Sequence, residues 1–345
     1  MEHYAGLDIS MEETSVCILD KNGNIVREGA VPTEPEAITA FLEDFRDSLR
    51  RAGLEAGALT PWLCQELLAA DIPAICIETR HAKAAMQAQN VKTDRNDARG
   101  IAHMMRTGWF RAVHVKSTQS QKLRVLLGNR RCLLDKRLDI ERRIRGTLKA
   151  FGLKVGKVGA AGYETRVREL IDGDAELTAW LEPLLQARRH LIEQFKVLEK
   201  TILDYVKNDD VCRRLMTIPG VGPLTALAFK TSIDRPERFA KAASVGAALG
   251  LTPRKYASGQ IDYDGRITKC GDALARTHLY EAAKVLLSRV TKWSAIKVWG
   301  LNIARRSSMK NACVAVARKL ALVMHRIWVD GTEFHWGKEP AAVTA

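Results

Sequence analysis

The sequence predicts an α/β domain built on a mixed sheet, followed by an all-α remainder that opens with a long antiparallel helical hairpin. Three observations point there. Up to about residue 115 the apolar pattern alternates between strand-like and helix-like; from Gln119 it recurs only at helical spacing; and the charge changes sign between the two parts. Residues 1 to 110 hold 11 Lys and Arg against 17 Asp and Glu, net −6, so the rest of the chain carries +20 to give the formal +14 of all 345 residues.

Tyr4 to Ile9, Ser15 to Leu19 and Ile25 to Val31 are short apolar runs, and Lys21-Asn22-Gly23-Asn24 is a hairpin turn signal, so the chain opens as a β-meander. Ile38, Phe41, Leu42, Phe45 and Leu49 recur at three- and four-residue spacing, which predicts a helix from Pro35 to Leu49 on that sheet. Leu54-Glu55 reads as a short strand end, Pro61 to Ala70 as a helix, Ile72 to Glu78 as a buried strand, Thr93 to Met105 as a helix and Ala112 to Val115 as a last strand.

From Gln119 to Ala150, Leu123, Leu127, Leu134, Leu138, Ile144 and Leu148 keep helical spacing on a very basic background. Leu177, Leu181, Leu184, Leu191, Phe195, Leu198, Ile202 and Tyr205 alternate by four and three, with Arg188 in the missing place, a seam of about four heptads. The glycine-rich stretch Gly152 to Gly162 lies between, which makes a hairpin whose seam closes on itself or on another subunit, Arg188 setting register or partner. From about Asp210 the chain is helical again. Ile218-Pro219-Gly220-Val221-Gly222-Pro223-Leu224-Thr225-Ala226 has the form of a helix-hairpin-helix turn, in which glycines let a phosphate approach backbone N–H groups; a plain interhelix turn is the alternative. Ser244 to Leu251, a Tyr-containing loop from Thr252 to Gly271, helices at Ala273 to Val290 and Ala312 to Trp328, and a fraying last dozen residues complete the reading. The expected domains are 1–115, 116–208 and 209–330, with a tail at 331–345.

Composition excludes several classes. With 46% apolar residues the chain is folded; no apolar run reaches the roughly 18 to 20 residues of a membrane span; and MEHYAGLDIS has no basic region or long apolar core, so a cytoplasmic protein is expected, with no membrane partner. Seven scattered cysteines without a C-x-x-C pair speak against disulfides and structural zinc. Residues 116 to 157 carry 13 basic and 3 acidic side chains, and 250 to 326 carry 15 and 4. One such block could be a solvated helix face; two suit a nucleic acid. Candidate contacts are Arg130, Arg131, Arg142, Arg143 and Arg145 in the first block, Arg254, Lys255, Arg266 and Lys269 in the second, and Gly220 and Gly222 in the turn between them.

Asp94 and Asp97, three apart in Lys92-Thr93-Asp94-Arg95-Asn96-Asp97-Ala98-Arg99, share a helix face, where they could also be a cap paired with Arg95 and Arg99. Asp8 ends the first strand in an apolar setting that makes an unpaired carboxylate costly. Acids on a first strand and on a late helix are how an RNase H-like sheet assembles an oxygen-donor site for Mg²⁺, the usual apparatus for displacement at a phosphodiester.

With these residues in place, the chain resembles the insertion-sequence-110 family of transposases, the bridge-RNA-guided DNA recombinases. Gly6-Leu7-Asp8 is similar to the family's first-strand motif and residues 92–99 to its acidic motif. Ile218-Pro219-Gly220-Val221-Gly222 is similar to the opening of its C-terminal domain; Ala248 to Gly259 with Gly265 to Gly271 is similar to that domain's active-site loop. The resemblance implies a RuvC-like domain with a D-E-D-D metal site at Asp8, Glu55, Asp94 and Asp97, holding Mg²⁺ or Mn²⁺, with Glu78 as the substitute for Glu55. It also implies Ser258 as a serine nucleophile. Arg254, Lys255, Arg266 and Lys269 are close enough in sequence to hold a phosphate beside it, and no histidine base lies in the loop.

The implied function is an insertion-sequence transposase that cuts and rejoins donor and target DNA through a phosphoserine. A non-coding bridge RNA would guide it, and it would act as a dimer or tetramer on the prokaryotic nucleoid. The rivals are a RuvC-type two-metal, structure-selective nuclease and a non-catalytic nucleic-acid-binding protein.

Overall fold

The computed structural model describes residues 1–87 and 93–336; Lys92 of the acidic motif and residues 337–345 of the expected tail lie outside the described residues. The chain divides into two compact units, Met1–Lys116 and Ser117–Ala345.

The first unit holds a five-stranded sheet. Strands β1 (His3–Ile9), β2 (Glu13–Asp20) and β3 (Ile25–Pro32) form the antiparallel meander. Helix α1 (Pro35–Leu42) follows, then a 3₁₀ segment (Glu43–Ser48) and strand β4 (Leu49–Glu55), parallel to β1. Helix α2 (Thr60–Ala69), strand β5 (Ala74–Ile77), parallel to β4, and helices α3 (Thr79–Met86) and α4 (Asp94–Thr107) complete the unit. The order β3-β2-β1-β4-β5, with the meander antiparallel and the last two strands parallel to β1, is that of an RNase H-like, RuvC-like sheet.

Two expectations are corrected here. The helix predicted to Leu49 ends at Leu42, because Phe45 and Leu49 are apolar for other reasons: Phe45 packs edge-on to His3, and Leu49 starts β4. Glu55 therefore ends a full seven-residue strand, whose charged look comes from Arg50 and Arg51; Arg50 pairs with Glu2 and Arg51 donates to the Met105 carbonyl at 2.9 Å. The strand expected at Ala112 to Val115 is only a single bridge, Ile77 to Ala112.

The sheet is covered on both sides. Ala5, Leu7, Val16, Ile18, Ala52 and Leu54 meet Ile38 and Leu42 of α1 and Leu63 and Leu67 of α2. The opposite face meets α4, with Cys17 and Leu19 against Ala98 and Ala102, and Ile77 against Ile101, Met104 and Met105.

In the second unit, α5 (Thr118–Ala150) and α7 (Ala175–Asn208) form the antiparallel hairpin, with α6 (Tyr163–Leu170) in the connection. Leu123 and Leu127 share a core with Ile202 and Val206; Ile144 and Leu148 share another with Leu177, Leu181 and Leu185. The buried stripe thus moves from the expected Leu184 and Tyr205 to Leu185 and Val206, as a helix of 3.6 rather than 3.5 residues per turn requires. Arg188 is only 2% exposed. It donates to Glu141 Oε1 at 2.9 Å and to the Ala160 carbonyl at 2.6 Å, and lies 4.7 Å above the Tyr163 ring, so it fixes register within the hairpin.

Helices α8 (Asp210–Met216), α9 (Pro223–Ile233) and α10 (Ala242–Ala248) follow, then strands β6 (Pro253–Ser258) and β7 (Ile261–Ile267), and helices α11 (Ala273–Ser288), α12 (Ala295–Arg306) and α13 (Met309–Asp330). The expected loop from Thr252 to Gly271 is thus a β-hairpin, and α12 is an element the sequence pattern did not predict. The fraying tail is also corrected in part: Phe334 packs on the helical core and its amide donates to Thr217 Oγ1 at 2.9 Å.

Candidate active site

Each acid of the first unit is placed by a local device. Strand side chains alternate between faces, so Asp8 shares the face of Gly6, and Glu55 that of Gly53. That face is the one α4 covers. A Cβ on Gly6 would lie 2.1 Å from the Ala98 carbonyl oxygen and 2.3 Å from the Ala102 amide nitrogen; one on Gly53 would lie 2.8 Å from side-chain atoms of Ile101 and Met105.

On α4, Asp94 is one turn before Ala98, and Asp97 one turn before Ile101. The C-terminal half of α4 lies beside the start of β4, where Arg51 reaches Met105, so its first turn points toward the strand ends that carry Asp8 and Glu55. Asp8 and Glu55 are thus on the sheet face that α4 covers, and Asp94 and Asp97 are in the first turn of that helix.

Asp8 and Glu55 line the same cleft, of about 270 Å³, and the turn after Glu55 is held by Thr60, whose hydroxyl donates to the Glu55 carbonyl. Glu78 does not line that cleft; it precedes α3 and pairs with Arg111. Among the described residues no three acidic, His or Cys side chains stand close enough to hold an ion as they are. Carboxylate oxygens of this kind suit a hard divalent cation.

Arg95 and Arg99 are not the partners of Asp94 and Asp97 that a capped, salt-bridged helix start would give. Both reach across the sheet to Glu28 on β3, Arg95 Nη2 at 2.5 Å and Arg99 Nη2 at 2.9 Å from its Oε2. Thr93 supplies the cap instead, accepting from the Asn96 amide. The Arg99 guanidinium first, with Arg95, holds Glu28 down to about 2, and burial with this carboxylate nearby pushes Cys17 up to about 12.

A carboxyl depressed from its ordinary 4.5 stabilises fully above that value, and this is lost as the pH falls through it toward about 2. Glu28→Gln is therefore expected to lower the urea midpoint clearly at pH 7 and much less at pH 3. An equal gap at both values would contradict the clamp. Sequence reasoning missed Glu28; its signal was a lone acid facing the basic side of the α4 motif.

In the second unit, Ser258 is the last residue of β6 and exposed, paired with Ile261 across the turn Gly259-Gln260. The foot of this hairpin is tied by hydrogen bonds. Arg276 donates to the carbonyls of Leu249 and Cys270 at 3.1 and 3.0 Å, and Lys269 N donates to Gly250 O at 3.1 Å. Asp272 caps α11, accepting from Leu274 and Ala275, and pairs with Arg124; burial raises its carboxyl, but Arg124 and the two amides outweigh that and keep it below the usual range.

Arg254, Arg266 and Lys269 are exposed around the hairpin, while Lys255 pairs with Asp262. In the turn before α9, Gly220 is spent on packing, since a Cβ there would lie 2.5 Å from the Ala282 carbonyl; Gly222, at the start of α9, is open. Of the α5 arginines, Arg130 pairs with Glu199 and lies over Phe195, and Arg145 reaches the Gly156 carbonyl. Arg131, Arg142 and Arg143 are exposed, with Arg131 paired to Asp135 and Arg142 to Asp139 along the helix surface.

Comparison with known proteins fits both units. Residues 5–152 match a transposase model of the DEDD type, and residues 212–298 match the model described as Transposase IS116/IS110/IS902 family. The chain is a transposase, an enzyme that moves DNA, with a RuvC-like DEDD domain ahead of a mainly helical one. The transposase for insertion sequence element IS1111A of Coxiella burnetii is 28% identical over 334 residues, covering 92% of this chain and 87% of that one. That for element IS1328 of Yersinia enterocolitica is 27% identical, covering 71% and 75%. T. thermophilus RuvC in complex with a Holliday junction substrate is similar at 12% identity and a TM-score of 0.27, over 33% of this chain and 100% of that one. The chain belongs to the IS110 family of insertion-sequence transposases. Among the described residues no helix is long and apolar enough to cross a membrane.

Proposed function

We propose that this transposase cuts and rejoins DNA through a phosphoserine on Ser258, with a non-coding bridge RNA selecting donor and target by base pairing. The observation that carries this reading is an exposed serine at the tip of a hairpin whose base is tied by Arg276 and carries the exposed Arg254, Arg266 and Lys269. Those cations would hold the DNA backbone along the hairpin on either side of the scissile phosphate. The Ser258 Oγ–P bond forms as the bond from phosphorus to a deoxyribose oxygen breaks, and the serine proton ends on that departing oxygen. A second DNA hydroxyl reverses the step on a new strand, so there is no net hydrolysis.

Asp8, Glu55, Asp94 and Asp97 would hold Mg²⁺ or Mn²⁺, which when bound lends Lewis-acid stabilisation to phosphoryl chemistry. A homo-oligomer, dimer or tetramer, would let the acids of one subunit serve the serine of another. The exposed Arg131, Arg142 and Arg143 grip nucleic-acid backbone, leaving sequence choice to the RNA.

Ser258→Ala tests the reading. The parent, incubated with donor and target DNA and the RNA transcribed beside its gene, should leave a protease-trimmed adduct on the Ser258 peptide; the variant should lose adduct and joined product together. Undiminished cutting by Ser258→Ala would overturn it in favour of a two-metal nuclease. In either case Asp94→Asn with Asp97→Asn should reduce cutting at least about a thousandfold. Full activity in that double variant would leave only a nucleic-acid-binding role.

A further inference from the structure

The β6–β7 hairpin has two unlike faces. In its register Tyr256 is opposite Tyr263 and Ser258 opposite Ile261, and since strand side chains alternate, these four share one face. Lys255, Asp262 and Asp264 lie on the other. The two rings are stacked, centroids 5.0 Å apart and planes at 18°, yet Tyr256 is 44% exposed, Tyr263 56% and Ile261 59%. A lone two-stranded hairpin is marginal in water, and a bare aromatic face on one marks an interaction surface.

We propose that the partner is single-stranded or locally opened DNA, whose bases next to the scissile phosphate stack on Tyr256 and Tyr263. The inference rests on Ser258 as the nucleophile, because a phosphate within bonding reach of its Oγ brings the flanking nucleosides onto the same face. Same-face positions two residues apart on a strand are roughly 6.6 to 7 Å apart, about one nucleotide's reach from phosphate to base. A cleft of about 420 Å³ is lined by both tyrosines, Ser258 and Ile261, together with Lys255 and Ala257 of β6. The nearby cations Arg254 and Arg266 suit the backbone of the same strand rather than an apolar protein surface. Paired bases hide their flat faces inside the duplex, so the DNA must be open where it meets the rings. Stacking is also tolerant of sequence, since every base has a π-face, and so suits an enzyme whose sequence choice is made elsewhere.

The test uses the full chain and a mixed-sequence single-stranded 12-mer carrying 5-iodouracil, at a salt concentration that weakens phosphate contacts. Ultraviolet crosslinks should map to Tyr256 or Tyr263, and should persist in Ser258→Ala, where the chemistry is lost but the platform is not. That arm separates failure of the platform from failure of the serine reading. Tyr256→Ala with Tyr263→Ala should weaken binding roughly ten- to a hundredfold and lose the crosslink, while Tyr256→Phe with Tyr263→Phe, which keeps both rings, should retain them. Crosslinks that map elsewhere with unchanged affinity in the alanine pair would overturn the proposal. So would equal loss in the phenylalanine pair. An alanine pair that alters sedimentation but not DNA binding would assign the face to a protein and overturn it too.

Discussion

Gly6→Ala is expected to lower the stability of the N-terminal unit by about 3 to 4 kcal/mol and to weaken its hold on a divalent cation at the same time. The new Cβ would meet backbone, not a side chain: the Ala98 carbonyl oxygen at 2.1 Å and the Ala102 amide at 2.3 Å. Ordinary contact needs more than an additional ångström, and neither atom can swing aside without moving α4 as a whole. That helix carries Asp94 and Asp97 in its first turn, and Asp8 is two residues from the substituted glycine. A displacement of roughly 1 Å among reacting groups costs on the order of a hundredfold in rate.

Gly53→Ala is the internal comparison. Its Cβ would meet the Ile101 and Met105 side chains at 2.8 Å, and a methionine can repack, so a cost of about 1 kcal/mol is expected. Urea unfolding with hydrogen exchange on the α4 amides reads the first effect, and Mn²⁺ titration followed by relaxation of water protons reads the second. If Gly6→Ala proves no worse than Gly53→Ala, the close approach of α4 to β1 is wrong.

That approach was only half legible in the sequence. Gly6-Leu7-Asp8 and the spacing of Asp94 and Asp97 stood out because each is local: a glycine before an acid on a strand, and two acids on one helical face. The helix that unites them packs through Ala98, Ile101, Ala102 and Met105, and its register against two strand glycines is a tertiary fact no spacing carries. Strand β4 was nearly invisible for a similar reason. Arg50 and Arg51 make it look polar, but their charged ends leave the sheet for Glu2 and the Met105 carbonyl while Leu49, Ala52 and Leu54 enter the core. The hairpin around Ser258 was hidden because both of its faces are exposed, which erases the alternation that marks a half-buried strand. Ser258-Gly259 between two tyrosine-bearing runs was its one trace. Arg188 was legible as an oddity in the heptad seam, whereas its partners Glu141 and Ala160 come from elsewhere in the hairpin and could not be read beforehand.

Gly271→Ala is expected to reduce DNA rejoining at least about a hundredfold while leaving the N-terminal unit as stable as before. Gly250 and Gly271 cross at the foot of the Ser258 hairpin. A Cβ on Gly271 would lie 1.9 Å from the Ala248 carbonyl oxygen, and one on Gly250 2.0 Å from the Cys270 carbonyl oxygen. Both residues also have positive φ, +77° and +67°, which costs an alanine roughly 1 to 2 kcal/mol before any overlap is counted. The two effects differ in their remedy. Strain can be borne where it arises, but backbone overlap can be relieved only by separating the end of α10 from the start of α11. Those are the elements that Arg276 ties together through the Leu249 and Cys270 carbonyls, and that separation would displace the whole hairpin with Ser258 at its tip.

Gly173→Ala isolates the strain, since φ is +84° there and nothing lies within 4 Å of the new Cβ. It should cost roughly 1 to 2 kcal/mol and leave rejoining intact. Gly271→Ala should cost about 3 kcal/mol or more in the second unit and reduce rejoining at least about a hundredfold. Protease cleavage within the hairpin should rise in the same variant, because a hairpin without its foot has few contacts of its own. Equal behaviour of the two alanine variants in rejoining would show that the interlock at the foot does not position the serine.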